Sequence, residues 1–406
     1  MSFQTGLSGL NAAARNLDVI GNNIANANTA GSKVARAEFS EIVAASTIAA
    51  TGRTEGIGVE VSTVSQQFNQ GSINITGGTL DLAINGAGFF PLTQTDGTPA
   101  FSRAGAFKLD KIGNIVTNAG ANLMGYPTTT TGVPTSSTLQ PLQLPTSTPI
   151  PASATTNITA EFNVDARALV WDAPVPAIPL TTYGTSVTTY DSQGAPIEQP
   201  LYMRKTANDT WEVFTDPTSA VTAAATVAAT LTFGVNGQFL GSVPAVPTIG
   251  VISPNPTIGV FTPSLDLTKT SQFATAFAVS DLTQDGYAPG DFVALRINDS
   301  GIVTATYSNG QSQAAGQVAL ADFRNVQGLR TSTGGTWVET VASGQPVLGA
   351  PGVGKFGALR AGALEESNID LTSELVNMMT AQRTYQANAQ TIKTQDQVLS
   401  TLTNLR

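Results

Sequence analysis

The sequence predicts an α+β protein in which helices at the two ends of the chain enclose a long β-rich middle. Near both ends, apolar residues recur at heptad spacing over several turns. Between them, the chain is rich in Gly, Thr, Val, Asn and Pro, with alternating apolar residues and frequent turn signals. We expect the terminal helices to form an α-helical coiled-coil domain. We expect the middle to form two mainly antiparallel β domains, the outer one inserted in the inner one.

The first helix is predicted over residues 1 to about 27, with Gly31 as its stop signal. Its apolar residues are spaced alternately four and three apart. We call this set the α1 seam: Phe3, Leu7, Leu10, Ala14, Leu17, Gly21 and Ile24. Because Gly6, Gly9 and Gly21 lower helix propensity, this segment is expected to stay unfolded until it meets copies of itself.

The second helix is predicted over residues 371–405, with Asn368 or Asp370 as its N-cap. Its seam follows the same spacing: Leu371, Leu375, Met378, Gln382, Tyr385, Ala389, Ile392, Asp396 and Leu399. Pairing the two helices with each other would still leave outer apolar residues uncovered, among them Val19, Ile20, Val376, Met379 and Val398. Neighbouring copies of the chain are the natural cover, so the sequence favours self-assembly.

The middle of the chain carries repeated hairpin signals. They are Asp96-Gly97, Asp110 to Gly113, Asp191 to Gly194, Asn236-Gly237, Asn298 to Gly301 and Asn309-Gly310. The clearest predicted hairpin joins Phe292–Ile297 to Ile302–Tyr307 through one of these turns.

Two low-complexity stretches, residues 127–156 and 243–264, subdivide this middle. The resulting division is a terminal helical domain (1–28 and 370–406), a linker region (29–70 and 355–369), an inner β domain (71–147 and 281–354) and an inserted outer β domain (148–280).

The composition excludes several classes of function. Charged residues make up 12% of the 406-residue chain, against about 25% in ordinary soluble domains. The net charge of −9 disfavours nucleic acid or an anionic membrane as partner. The absence of Cys and His excludes the usual zinc sites, disulfides and Ser-His-Asp chemistry. The N-terminal segment has neither the basic start nor the apolar run of a cleaved secretory signal.

One stretch resembles a phosphate-binding loop but lacks the residue that would bind magnesium. Gly349 to Lys355 nearly matches G-x-x-x-x-G-K-[ST], yet the position that should hold magnesium is Phe356. The glycines that follow do not open a helix. The carboxylates of the chain lie mainly in turns, where Asp is expected. We therefore predict no enzyme and no catalytic, cofactor-binding or metal-ligating residues.

Three segments carry a family resemblance: residues 17–33, 71–90 and 362–397. Together they are similar to the flagellar rod and hook axial proteins, in the same order along the chain. The motif positions that carry the similarity are Asn22, Asn23, Asn26, Thr29, Gly31, Lys33, Asp81, Gly88, Phe89, Phe90, Leu364, Glu365, Ser367 and Asn368. Ser32 departs from the aromatic residue that the family often has. The chain length and the extra module at 148–280 resemble the hook members of this family.

The resemblance implies a subunit that leaves the cell through the flagellar type III export apparatus without a cleaved signal. It implies polymerisation into a curved tube that acts as a universal joint between rod and filament. The implied partners are other copies of the chain, the distal rod protein, the hook–filament junction protein and the hook cap. The implied inner-tube contacts are the large seam residues: Phe3, Leu7, Leu10, Leu17, Ile24, Leu371, Leu375, Met378, Tyr385, Ile392 and Leu399.

Two other readings stay open on the sequence. The first is a distal rod protein with an inserted domain, which would form straight polymers. The second is a secreted adhesin-like binding protein, which would be a folded monomer with protected ends.

Overall fold

A computed structural model describes residues 2–43, 56–145, 149–171, 183–215 and 227–404. The protein is mainly β, with one helix at each end of the chain. It divides into two compact units. The first contains Met1–Ser147, Ala294–Thr306 and Ser312–Arg406, and the second contains Thr148–Val293 and Tyr307–Gln311. Within the described part of the chain, no helix is both long enough and apolar enough to cross a membrane.

The two terminal helices, α1 (Ser2–Ala25) and α2 (Leu371–Asn404), pack against each other in antiparallel orientation. Near the start of α1, Gly6 faces Ile392, and near its end the Asn23 amide bonds Glu374. The predicted Asp370 cap is confirmed, since its carboxylate accepts a 2.9 Å hydrogen bond from the Thr372 N–H. Hydrogen bonds from the Ser373 hydroxyl, then from the backbone of Thr372 and Ser373, lower the pKa of Asp370.

The expectation that Gly31 stops α1 was wrong. The helix ends at Ala25, and the Asn26 N–H still bonds the Asn22 carbonyl at 3.1 Å. Gly31 lies six residues later with φ of +71°. A Cβ at Gly31 would stand 2.4 Å from the backbone nitrogen of Ala104, so glycine is required there by its conformation and by a close approach of two backbone segments.

The stretch expected to link α1 to the β domain contains an antiparallel hairpin of β1 (Ala35–Val43) and β2 (Gly56–Gln66). The hairpin contacts α1, where the Val59 N–H donates to the Ser8 hydroxyl at 3.3 Å. Residues 44–55 of this stretch lie outside the described part of the chain.

Among the described residues, twenty-eight further strands lie between this hairpin and α2. The first group is β3 (Ile73–Ile75), β4 (Leu82–Asn85), β5 (Phe90–Thr93), β6 (Pro99–Ser102), β7 (Phe107–Leu109), β8 (Ile115–Thr117), β9 (Asn122–Tyr126) and β10 (Gln140–Pro141). The second is β11 (Asn157–Asp165), β12 (Gly184–Tyr190), β13 (Pro196–Ala207), β14 (Thr210–Phe214), β15 (Ala229–Phe233), β16 (Phe239–Val243), β17 (Val251–Ile252), β18 (Val260–Phe261), β19 (Ser264–Asp266), β20 (Ser271–Phe273) and β21 (Ala278–Gln284). The third is β22 (Phe292–Ile297), β23 (Ile302–Tyr307), β24 (Ser312–Val318), β25 (Leu320–Asp322), β26 (Arg330–Ser332), β27 (Thr336–Val338), β28 (Val347–Gly349), β29 (Ala358–Ala361) and β30 (Ala363–Glu365).

All six predicted turns join consecutive strands, which confirms the hairpin signals. They connect β5 to β6, β7 to β8, β12 to β13, β15 to β16, β22 to β23 and β23 to β24. Each turn contains a glycine with φ between +76° and +87°: Gly97, Gly113, Gly194, Gly237, Gly301 and Gly310. Such turns are local, so short sequence signals suffice to place them.

The first unit has an aromatic core beneath its main sheet. The sheet follows the order β23-β24-β9-β5-β6-β27-β26. Phe89 contacts Phe68, Phe323 and Trp337 edge-on, with ring centroids 5.5 to 6.0 Å apart. This cluster fixes the family position Phe89, which is 2% exposed, while the neighbouring family position Phe90, which is 0% exposed, packs edge-on against Phe107 with ring centroids 5.3 Å apart.

The second unit contains a five-stranded sheet, β12 to β16 in sequence order, and a four-stranded sheet centred on β11. Both sheets contribute side chains to one core. Trp211 is fully buried in it, and its indole N–H donates a 3.1 Å hydrogen bond to Gln272. Strand β11 pairs antiparallel with β21 but parallel with β19 and β20, a local departure from the antiparallel pattern.

Candidate assembly interface

The α1 seam lies on the outside of the single chain. Phe3 and Leu7 are 47% and 44% exposed, and Leu10, Leu17 and Ile24 are half-buried. Successive residues of a helix are rotated by about 100° around its axis. The centre of the seam therefore lies about 100° around the axis from the face of α1 that packs on the rest of the chain. A large apolar surface in this position is available to another molecule.

The packed face of α1 consists largely of small residues that the seam does not include. Gly6, Ala12 and Ala13 are buried. A Cβ at Gly9 would stand 2.9 Å from the Asn388 amide nitrogen, so this glycine allows α2 to approach closely. Small side chains give only a weak hydrophobic signal, which is why the sequence pattern did not reveal this face.

Ile20 corrects one expectation. It was predicted to lie on an outer face of the helix pair, yet it is only 5% exposed. The physical reason is the β1–β2 hairpin: Ile20 lines a cavity together with Ala35 and Ala37 from β1.

On α2, the predicted seam is divided between exposed and packed positions. Leu371, Leu375, Tyr385 and Leu399 are 37% to 55% exposed. Met378 and Ile392 are half-buried, and Ile392 faces α1 at Gly6. Val376, Met379 and Val398 are about half exposed, as expected for outer positions. Both helices therefore present apolar surface that this chain does not cover.

A buried ionic cluster ties the two ends of the chain together behind these helices. The Lys33 ammonium lies 2.5 Å from one oxygen of Glu365, and the Arg103 guanidinium lies 3.2 Å from the other. The side chains of Lys33 and Glu365 are 0% exposed. Glu365 also accepts a hydrogen bond from the Gly71 N–H at 3.0 Å. We call Lys33, Arg103 and Glu365 the junction triad.

Backbone carbonyls also accept hydrogen bonds from the two cations of the junction triad. Lys33 donates to the carbonyl of Asn69 at 2.8 Å, and Arg103 donates to the carbonyl of Gly86 at 2.9 Å. Arg103 also lies 5.3 Å from the centroid of the Phe89 ring, a cation–π distance. Burial lowers the pKa of Lys33, while the hydrogen bond and charge of Glu365 oppose this shift. Burial likewise lowers the pKa of Arg103 against the opposing charge of Glu365.

Two asparagines brace the same region through their amides. Asn23 accepts from the Ala35 N–H at 2.9 Å and donates to the Ala35 carbonyl at 2.8 Å. Asn368 accepts from the Val34 N–H at 2.8 Å and donates to the carbonyls of Gln67 and Asn69. Each side-chain amide therefore makes hydrogen bonds that a neighbouring strand would otherwise make. Asn368 does so for Val34, just before β1, and Asn23 does so for Ala35, the first residue of β1. This fixes the angle at which α1 enters the hairpin.

The other family positions lie in turns and short strands of the first unit. Asn22 lies in the last turn of α1, and Asn26 and Thr29 lie in the turns that follow, where the Asn26 amide donates to the Asn22 carbonyl at 2.9 Å. The carbonyl of Asp81 accepts from the Gly362 N–H at 2.8 Å. Three positions have individual roles: Gly88 has a φ of +128°, Leu364 pairs with Asn74, and the Ser367 hydroxyl accepts from the Ile369 N–H.

The structure thus brings Gly31, Lys33, Glu365 and Asn368 together, although they come from distant segments. Sequence reasoning missed Arg103, because one arginine in a β-rich segment carries no signal of burial. The arrangement offers structural support: it locks the two chain ends to each other and presents their exposed helical faces.

Four family models match the chain in succession. "Flagella basal body rod protein" matches residues 3–33, and "Flagellar hook protein FlgE/F/G D1 domain" matches residues 83–166. "Flagellar basal body protein FlaE D2 domain" matches residues 163–287, and "Flagellar basal body rod FlgEFG protein C-terminal" matches residues 360–405. The fold, the locked helical ends and these matches define a structural protein of the bacterial flagellar axis.

Full-length relatives identify the member of that class. The chain is 42% identical to the flagellar hook proteins FlgE of Escherichia coli (strain K12) and Salmonella typhimurium, over 100% of each chain. It is 32% identical to that of Rhizobium meliloti, over 100% of this chain and 98% of the relative. The chain belongs to the flagellar hook protein FlgE family, a family of structural proteins, and is a structural subunit of the flagellar hook.

A solved structure agrees at the level of the fold. The flagellar hook protein FlgE2 of Helicobacter pylori superposes with a TM-score of 0.53 at 15% identity. The match covers 72% of this chain and 100% of that one.

Proposed function

We propose that this chain polymerises into a curved tube that acts as a universal joint, transmitting motor torque from the rod to the filament. The observation that carries the proposal is the apolar surface that both terminal helices leave uncovered, with Phe3, Leu7, Leu375 and Leu399 each 44% to 55% exposed. Full burial of such side chains is worth about 1.5–3 kcal/mol each. Copies of the chain supply that burial when the helices pack as coiled coils in the inner layer of the tube.

The junction triad suits this role because it transmits force between helix and β domain. Torque applied to the helices must reach the β strands of the first unit without unfolding the connection. The two segments of the predicted linker region, residues 29–70 and 355–369, meet at Lys33 and Glu365. A buried, multiply hydrogen-bonded cluster resists such displacement, because separating its charges leaves them unpaired.

We further propose that the second unit is the outer domain, nested in the inner β domain, and that its surface lets the polymer bend. Bending requires neighbouring outer domains to shift contacts as the tube turns. The ion pairs that the structure describes in this unit, Arg167–Asp165 and Arg204–Glu212, each join two residues of the same unit. A surface of low charge, rich in Thr, Ser, Asn and Gln, favours exchangeable and water-mediated contacts.

The proposed partners are further copies of the chain, the distal rod protein at the base, the hook–filament junction protein at the tip, the hook cap during growth and the flagellar type III export apparatus. The proposed location is the extracellular hook of the bacterial flagellum.

The test replaces exposed seam residues and measures polymerisation. We expect Leu7→Ser with Leu375→Ser to leave the monomer folded, because both side chains are about half exposed, and to abolish tube formation seen by electron microscopy. Val341→Ser is the matched control, since Val341 is fully exposed away from the helices. Tubes of normal yield from the double variant would contradict the proposal.

The same experiment separates the two alternatives. Straight tubes from the unaltered chain would indicate a distal rod protein. An adhesin-like binding protein would be indicated if the unaltered chain stayed monomeric at every concentration and its termini resisted protease.

A further inference from the structure

Three glycines lie within α1, and the chain itself explains two of them. A Cβ at Gly6 would stand 3.2 Å from Ile392, and one at Gly9 would stand 2.9 Å from Asn388. Both glycines therefore permit the close approach of α2. Gly21 is different: a Cβ placed there meets no atom within 4 Å among the described residues.

Gly21 weakens the helix without an intrachain reason. Glycine within a helix is less favourable than alanine, because it loses more backbone freedom on folding. Gly21 has helical backbone geometry inside α1, with no positive φ that would require glycine. A glycine within a helix can serve close packing, because the missing Cβ lets another backbone or side chain approach. No described residue is that neighbour, which leaves a second copy of the chain as the candidate.

The position of Gly21 defines the shape of the missing neighbour. It lies on the α1 seam between Leu17 and Ile24, both half-buried. The seam carries no charged residue. Larger residues on both sides of a glycine form a notch, and a notch of this kind receives a ridge of side chains from a second helix.

A matching ridge is present on α2. Leu371, Leu375 and Met379 follow each other at intervals of four residues and are 42%, 52% and 52% exposed. Residues at this interval form the ridges that pack into grooves of a facing helix. In the single chain α2 turns a different face toward α1, the face of Ala381 and Ile392. The Leu371–Leu375–Met379 ridge is therefore free for a second copy.

We propose that Gly21 is the point of closest approach between α1 of one copy and the Leu371–Leu375–Met379 ridge of α2 in a second copy. This inference rests on the proposed polymerisation and names the surfaces that meet. Each helix then uses two faces. The glycine and alanine face of α1 binds its own α2, and the adjacent seam binds the α2 of the neighbour.

Alanine substitution tests the close approach. Gly21→Ala adds a methyl group to empty space in the monomer, so we expect helical content by circular dichroism to rise slightly. In the polymer the methyl group separates the two helices, so we expect the critical concentration for polymerisation to rise about tenfold or more, the effect of overpacking a dense contact. Gly21→Leu is expected to prevent polymerisation.

Asn11→Ala is the matched control, because Asn11 is exposed. It lies beyond the seam, on the side of α1 that is turned away from the packed face. We expect it to raise helical content without changing the critical concentration. Gly21→Ala chains that polymerise as readily as Asn11→Ala chains would overturn the proposal. If the unaltered chain itself fails to polymerise, the proposed function fails instead.

Engineered cysteines identify the facing ridge, since the chain contains no natural cysteine. Leu17→Cys chains and Leu375→Cys chains are mixed, polymerised and oxidised. Each chain carries one thiol, so any disulfide between Leu17→Cys and Leu375→Cys joins two copies. We expect covalent dimers in the mixed polymer, and none when Asn11→Cys replaces Leu17→Cys. Equal dimer yields in both mixtures, or none in either, would contradict the assigned ridge.

Discussion

Replacing Glu365 with alanine is expected to destabilise the first unit by about 3–5 kcal/mol, because it removes the carboxylate that pairs with two buried cations. Lys33 and Glu365 are 0% exposed at their side chains, and Arg103 is 6% exposed. The substitution also removes the acceptor for the Gly71 N–H. Urea unfolding followed by tryptophan fluorescence measures the loss, since Trp337 lies in the same unit.

Glu366→Ala is the control for this prediction. Glu366 is the next residue along the chain, carries the same charge and is exposed. We expect it to change the free energy of unfolding by less than about 0.5 kcal/mol, as exposed substitutions usually do. If Glu365→Ala does not fold, Glu365→Gln keeps an acceptor oxygen and allows the comparison. Equal stabilities of the two alanine variants would show that the junction triad does not hold the chain ends together.

Replacing Trp211 with alanine is expected to destabilise the second unit by about 3–5 kcal/mol, the usual cost of removing a large aromatic side chain from a core. Trp211 is 0% exposed between the two sheets and contacts Tyr183 edge-on with ring centroids 5.6 Å apart. The substitution also leaves the side-chain oxygen (Oε1) of Gln272 without its indole donor. We expect calorimetry to show an earlier transition for the second unit, with the transition of the first unit unchanged.

Phe273→Ala provides the comparison within the same unit. Phe273 is 49% exposed, so its removal creates a smaller cavity and a smaller loss. A Trp211→Ala chain that unfolds in one transition, shifted as a whole, would show that the two units do not unfold independently. An unchanged melting profile would show that Trp211 contributes little to the core.

The sequence predicted the local features of the fold well, since their signals are local. The turns at Gly97, Gly237 and Gly310 need a left-handed residue between two strands, and short motifs supply it. The ends of α2 follow from the Asp370 cap and from an uninterrupted helical pattern. The hairpin within residues 29–70 was less apparent, although Val59 and Val61 alternate with polar residues along β2.

The sequence could not predict the junction triad or the packed face of α1. Lys33, Arg103 and Glu365 are separated by 70 and 262 positions along the chain, and nothing in one sequence reports such distant contacts. The family resemblance singled out Lys33 and Glu365 but not Arg103. The large residues of the α1 seam give the strongest apolar pattern in this helix, but they do not form the face that packs within the chain. That face depends on Gly6, Gly9 and Ala13, which provide close contact rather than apolar area.

Hydrogen exchange in monomer and polymer tests the central claim most directly. In the monomer, α1 and α2 pair with each other and one face of each helix is exposed, so their amides should exchange through local opening. In the polymer, neighbouring copies cover the α1 seam and the exposed face of α2. We predict that the amides of Leu7 to Ile24 and Leu371 to Ile392 become protected at least about a hundredfold on polymerisation, corresponding to about 3 kcal/mol. Equal exchange rates in monomer and polymer at these amides would contradict the account.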